Sequence, residues 1–126
     1  MRSIPNLLIA IVVALTLSGC TMNDKGQATT AVAAKDNQFE PNTLSLKENA
    51  KITVKNEGDN LHSVTVHKAG DPATQTKKDT DIAKGTSTEY TFDESGTFHV
   101  YCKYHSGGAA GSFGSGMVLT VTVTEG

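Results

Sequence analysis

The chain has 126 residues, 37% of them hydrophobic and 6% aromatic with no tryptophan, and 11 Lys and Arg stand against 13 Asp and Glu. That length suits one small domain, whose core must be built mostly from Val, Leu and Phe. Neither sign of charge dominates, so composition gives no case for a nucleic-acid partner.

The chain opens with a short basic start, Met1-Arg2, and Ile4 to Leu17 is apolar apart from Pro5, Asn6 and Thr16. This run is too short for a comfortable membrane span and has the layout of a signal-peptide core. It ends in "LSGC", Leu17 to Cys20. A small-residue pair before Cys resembles the bacterial lipobox, where the peptide is cut ahead of a cysteine that becomes lipidated. Residues 1–19 are therefore expected to be a lipoprotein signal peptide. The alternatives are an uncleaved anchor or an ordinary secretory peptide. The mature chain would run from Cys20 to Gly126, with 10 Lys against 13 acidic residues once Arg2 is removed. It is expected outside the cytoplasm, lipid-anchored to a bacterial membrane on the periplasmic or cell-surface face. Residues 20–31 read as the lipidated Cys20 and a flexible tether, because "TMNDKGQATTA" is small and polar without periodicity. Disulfides are allowed in such a compartment, and a Cys20–Cys102 bridge is the plain reading of two cysteines. A lipobox uses one of them and leaves Cys102 a free thiol in an oxidising place, which metal ligation would protect.

From Val32 to Gly126 the pattern changes to short alternating runs. Leu44 and Leu46, Ile52 and Val54, Val64 and Val66, Tyr90 and Phe92, Phe98 and Val100, and Leu119, Val121 and Val123 each alternate with polar neighbours. Period two with β-branched residues predicts half-buried strands. "EPN", "NEGDN", "AGDP" and "DESG" supply the turns between them. Lys68 to Gly85 is the longest polar stretch and reads as loop with a short irregular turn or helix. Counting the stretch around Val32, about seven strands predict an all-β sandwich in one domain, residues 32–126.

Strand parity sorts the polar residues. His62 shares parity with Val64 and Val66, and Cys102 with Phe98 and Val100, so both are expected on the core face at strand ends. His67 and His99 have the opposite parity and are expected to face outward. His105 follows in the connecting loop, and Met117 opens the last strand in register with Leu119. A sandwich can bring these four to one end. A lone inward Cys or Met is usually packing. Two imidazoles, a thiolate and a thioether together form a soft ligand set, matching a trigonal His₂Cys copper site with a weak axial Met. Zinc would accept His₂Cys but gains little from the thioether. Cys102 and His105 as nucleophile and base are a weaker reading, since no orienting residue or oxyanion site can be picked out. Enzyme activity is therefore not expected.

At these residues the chain resembles the cupredoxins, most closely the plastocyanin-like branch. "KITVKNEGDNLHSVTV" looks like the strand, loop and strand with the first histidine ligand, "FDESGTFHVYCKYH" like the turn, strand and Cys-x2-His loop, and "GMVLTVTV" like the axial methionine and final strand. The resemblance implies a Greek-key β-sandwich. It implies one type 1 copper ion held by His62, Cys102 and His105 with Met117 axial, and Asn56 and Ser63 bracing the ligand loops. The implied activity is one-electron transfer by Cu(I)/Cu(II) between redox partner proteins; with the lipobox the carrier is expected to be membrane-anchored, and it is expected to be a monomer. The alternative is a copper-binding or trafficking lipoprotein with an altered axial site. Three departures stand out. Eleven residues, Ser106 to Gly116, separate His105 from Met117 where the family usually has a few. Ser63 stands where Asn is common, and Tyr104 where Pro is common. A backbone carbonyl in the axial place is the alternative to Met117. Phe113, the only large residue of the long loop, is a candidate for partner docking beside an exposed edge of His105.

Overall fold

The computed structural model describes residues 28–72, 74–106 and 116–126. Nine strands fill them: β1 (Thr29–Ala34), β2 (Phe39–Glu40), β3 (Thr43–Lys47), β4 (Lys51–Asn56), β5 (His62–Lys68), β6 (Lys78–Ile82), β7 (Ser87–Thr91), β8 (Gly96–Ser106) and β9 (Gly116–Thr124). They form two sheets, in the orders β2-β1-β4-β7 and β3-β9-β8-β5-β6. The pairs β1·β4 and β3·β9 are parallel and the rest antiparallel. The fold is the all-β sandwich expected from the alternation, with more strands than the seven expected. One addition is the two-residue β2. The other is β6, formed by "KDTDI" within the stretch read as loop. No apolar alternation announces β6, because it is an edge strand whose one fully buried side chain is Ile82. At the other end, β1 starts at Thr29, three residues inside the stretch assigned to the tether, and pairs from there with Lys51.

The core lies between the sheets. Val32, Ala34, Ile52 and Val54 from one sheet meet Val64, Val66, Phe98, Val100, Leu119, Val121 and Val123 from the other. Tyr90, Phe92 and Phe98 stack edge to face with centroids 4.8 and 5.1 Å apart, the arrangement that aromatic quadrupoles favour. The parity assignment holds for His62, Cys102 and Met117, each fully buried. For His67 the parity does not bring the expected solvent exposure, since it is only 4% exposed. The outward side of β5 is covered by the segment that follows it, where Nε2 of His67 lies 3.3 Å from the carbonyl of Pro72. His99, opposite His67 in the register, is half-buried, where solvent exposure was expected. Parity gives the face of a sheet but not what a loop lays over it.

Candidate metal centre

The order β9-β8-β5 brings three strand ends together. Because both pairings are antiparallel, the end of β8 lies beside the start of β5 and the start of β9. His62 opens β5, Cys102 and His105 lie near the end of β8, and Met117 is the second residue of β9. Nδ1 of His62 is 3.2 Å from Nδ1 of His105, and Sγ of Cys102 is 3.7 Å from the first and 3.3 Å from the second. A point equidistant from three atoms at these separations lies about 2.0 Å from each, the length of a transition-metal bond to nitrogen and close to one to sulfur. Nitrogen–nitrogen and nitrogen–sulfur approaches this tight fit a shared cation. Among the described residues these three are the group of His, Cys, Asp or Glu side chains placed to hold a metal ion.

The strand pairing opens to make the site. The β5·β8 ladder runs to Thr65↔Tyr101 and stops. Beyond it, side chains take over the backbone partners. The Ser63 N–H points at Sγ of Cys102 at 3.4 Å, and the Lys103 N–H donates to Oγ of Ser63 at 2.9 Å. Oγ of Ser63 also lies 3.0 Å from Oγ1 of Thr65, which donates to Asp79. Ser63 thus ties the two ligand-bearing segments together, with its backbone N–H on the sulfur of Cys102 and its hydroxyl on the Lys103 N–H. Asn56, 1% exposed, braces the loop leading to His62. Its Nδ2 donates to the carbonyls of Asn60 and Ile82, both at 2.8 Å, and its Oδ1 accepts the Gly58 N–H at 2.9 Å.

On the other side of β8, Tyr101 pairs with Val118 and Ser106 with Gly116, with an irregularity between. Four residues of β8, Cys102 to His105, therefore face the single residue Met117. Such a bulge re-aims side chains. Gly116 has φ 92°, a left-handed conformation that a side chain would strain, and it turns the chain directly before Met117. The intervening residues 107–115, with Phe113, lie outside the described residues, as do Cys20 and the signal segment. Cys102 is a free, buried cysteine.

Burial pushes the pKa of His62 down, and the neighbouring His105 adds to this; Asp36 opposes it. A neutral imidazole is the form that ligates. Oδ1 of Asp36 stands 3.5 Å from Nε2 of His62. Neither Asp36 nor Gly58 stood out in the sequence, because Gly58 lies within "NEGDN", which reads as an ordinary turn, and Asp36 belongs to no motif. The parallel pairing of Ala34 with Asn56 brings the two segments side by side, and a pairing so distant in sequence leaves no local signal. His105 keeps part of its surface exposed, and the side chains before the two histidines, Leu61 and Tyr104, are 47% and 49% exposed.

A family model described as a cupredoxin-like domain matches residues 7–113. The chain belongs to the cupredoxin-like family. Solved structures agree in fold. A reduced amicyanin mutant is 23% identical, with a TM-score of 0.56 over 76% of this chain and 82% of its own. A purple cupredoxin from Nitrosopumilus maritimus is 16% identical, with a TM-score of 0.56 over 75% of this chain and 99% of its own. Amicyanin from Paracoccus versutus is 16% identical, with a TM-score of 0.57 over 76% and 81%. No curated protein matches. In this cupredoxin His62, Cys102 and His105 are placed to bind one copper ion.

Proposed function

We propose that this cupredoxin is an extracytoplasmic, lipid-anchored electron carrier, with Met117 completing the copper site as its axial ligand. The observation that carries the reading is the convergence of Nδ1 of His62, Nδ1 of His105 and Sγ of Cys102, within 3.7 Å of one another, at the buried end of a rigid sheet. Bound copper would supply a one-electron Cu(I)/Cu(II) couple. The chain's own residues do the rest. β5 and β8 carry three of the ligand side chains, His62, Cys102 and His105, and Ser63 locks the segments to each other, so little rearrangement is needed between oxidation states. The buried Cys102 keeps water from its sulfur. Its strand, β8, offers a covalent route into the sheet, and the partly exposed His105 is the exit toward a docked partner, flanked by Leu61 and Tyr104. Met117 is buried opposite the ligand-bearing bulge, which supports the axial role. The anchor rests on the lipobox at Cys20, and the redox partners are proteins on the same side of the membrane.

Adding Cu(II) to the purified protein tests this. An intense thiolate-to-copper band that bleaches reversibly on reduction is expected, and Cys102→Ser should abolish it. Oxidation of Cys102 without such a band would refute the carrier. Tight copper binding without a reversible couple would favour the trafficking alternative. Labelling with a radioactive fatty acid, lost in Cys20→Ser, checks the anchor.

A further inference from the structure

With Nδ1 of His62 turned toward Cys102 and His105, the ring proton of the neutral imidazole stands on Nε2. That nitrogen is buried, on a residue with no exposed surface, and makes no well-aligned hydrogen bond among the described residues. A buried donor without an acceptor is costly. Oδ1 of Asp36 faces it at 3.5 Å, about half an ångström beyond a normal N–H···O bond. That carboxylate is itself held in place: Oδ1 accepts the N–H of Asp59 at 2.7 Å and of Asn60 at 3.1 Å. Gly58 makes the space for it, since a Cβ there would lie 2.2 Å from Oδ1. Three separate features of the 57–60 turn thus serve to seat one carboxylate oxygen behind a metal-ligand imidazole. Oδ1 is thus an acceptor for two backbone donors, and an aspartate carboxyl at neutral pH is an anion.

We propose that Asp36 is a positioning residue that orients His62 through an Nε2–H···Oδ1 hydrogen bond and lowers the reduction potential of the copper centre. This rests on the copper reading above. An anionic acceptor behind a ligating imidazole raises its basicity and favours the more highly charged metal state. Asp36→Asn keeps an oxygen for the Asp59 and Asn60 donors and removes the charge. The variant should keep the visible band while the ratio of Cu(II) to Cu(I) affinity falls about tenfold, which for one electron raises the midpoint potential by about 59 mV. Gly58→Ala, which displaces the carboxylate without altering it chemically, should raise the potential in the same direction. A second readout needs no redox activity: in the Zn(II)-loaded protein the Nε2–H proton resonance of His62 should lie downfield and move upfield in Asp36→Asn. An unmoved resonance would overturn the hydrogen bond, and a blue protein whose potential changes less than twofold in affinity ratio would overturn the tuning. A parent protein without the visible band would overturn the copper reading and the tuning role with it, so the two failures are told apart.

Discussion

Ser63→Ala removes one oxygen from a fully buried position between two ligand-bearing segments. Oγ accepts the Lys103 N–H at 2.9 Å and exchanges a hydrogen bond with Thr65 at 3.0 Å. Each such bond contributes about 1 kcal/mol net, and the Lys103 N–H loses its acceptor where the ladder has already ended, so a loss of about 2 kcal/mol is expected. For a domain of about this size that lowers the melting temperature by roughly 8 °C or more. Thermal and urea unfolding of the metal-free protein measure it. The backbone N–H of Ser63 still faces Sγ of Cys102 in the variant, so the copper band should survive with little change. Thr65→Val supplies a control, since the two hydroxyls share one bond and the double variant should cost less than the sum of the singles by at least 0.5 kcal/mol or so. A loss below about 0.5 kcal/mol, or strict additivity, would show that the tie between β5 and β8 does not run through Oγ of Ser63.

Asn56→Ala leaves the Gly58 N–H and the Asn60 and Ile82 carbonyls without their partner and should cost about 3 kcal/mol by urea unfolding. Met117→Leu preserves volume at a fully buried site and should cost less than about 1.5 kcal/mol, while loss of the thioether raises the potential measured by redox titration. Burial lowers the pKa of His62 and of His99 below the ordinary histidine value of about 6.5, so the unfolded chain binds more protons in acid. Stability of the metal-free protein should therefore be full above about pH 6.5 and fall as the pH drops below it, as denaturant titrations at several pH values would reveal. Shortening residues 107–115 by half, with Ser106 and Gly116 kept, should stabilise the domain by about 0.6 kcal/mol through a smaller loop-closure cost and leave the potential unchanged.

The strands with an apolar face were legible because a half-buried strand must alternate, and the runs at Ile52, Val64, Phe98 and Leu119 do. β6 was not, since an edge strand with one buried side chain carries almost no pattern. His67 shows the other limit. Its parity is that of an outward residue, and it does point away from the core, yet the segment reaching Pro72 covers it. Such covering depends on a tertiary path that no window of sequence encodes. Asn56 and Ser63 could be named as bracing residues only from their place beside the histidine motif. What each one braces became visible once the ends of β4, β5, β6 and β8 stood together.

The long glycine-rich insertion posed the hardest question, because eleven residues between His105 and Met117 leave the position of the sulfur open when only spacing is considered. The register answers where spacing does not. Leu119, Val121 and Val123 must face the core, and slipping β9 by one residue would turn all of them out to solvent. That requirement fixes Met117 by its distance from Leu119, not by its distance from His105. The Ser106↔Gly116 pair then closes the neck of the loop from the other side. Between that pair and Tyr101↔Val118, β8 holds four residues and β9 only Met117, so the mismatch in length is absorbed as a bulge on the strand that carries the ligands. A residue specified by the strand it opens tolerates a long insertion before it, which is how a chain can depart this far from the usual spacing and keep Met117 buried against the ligand-bearing bulge.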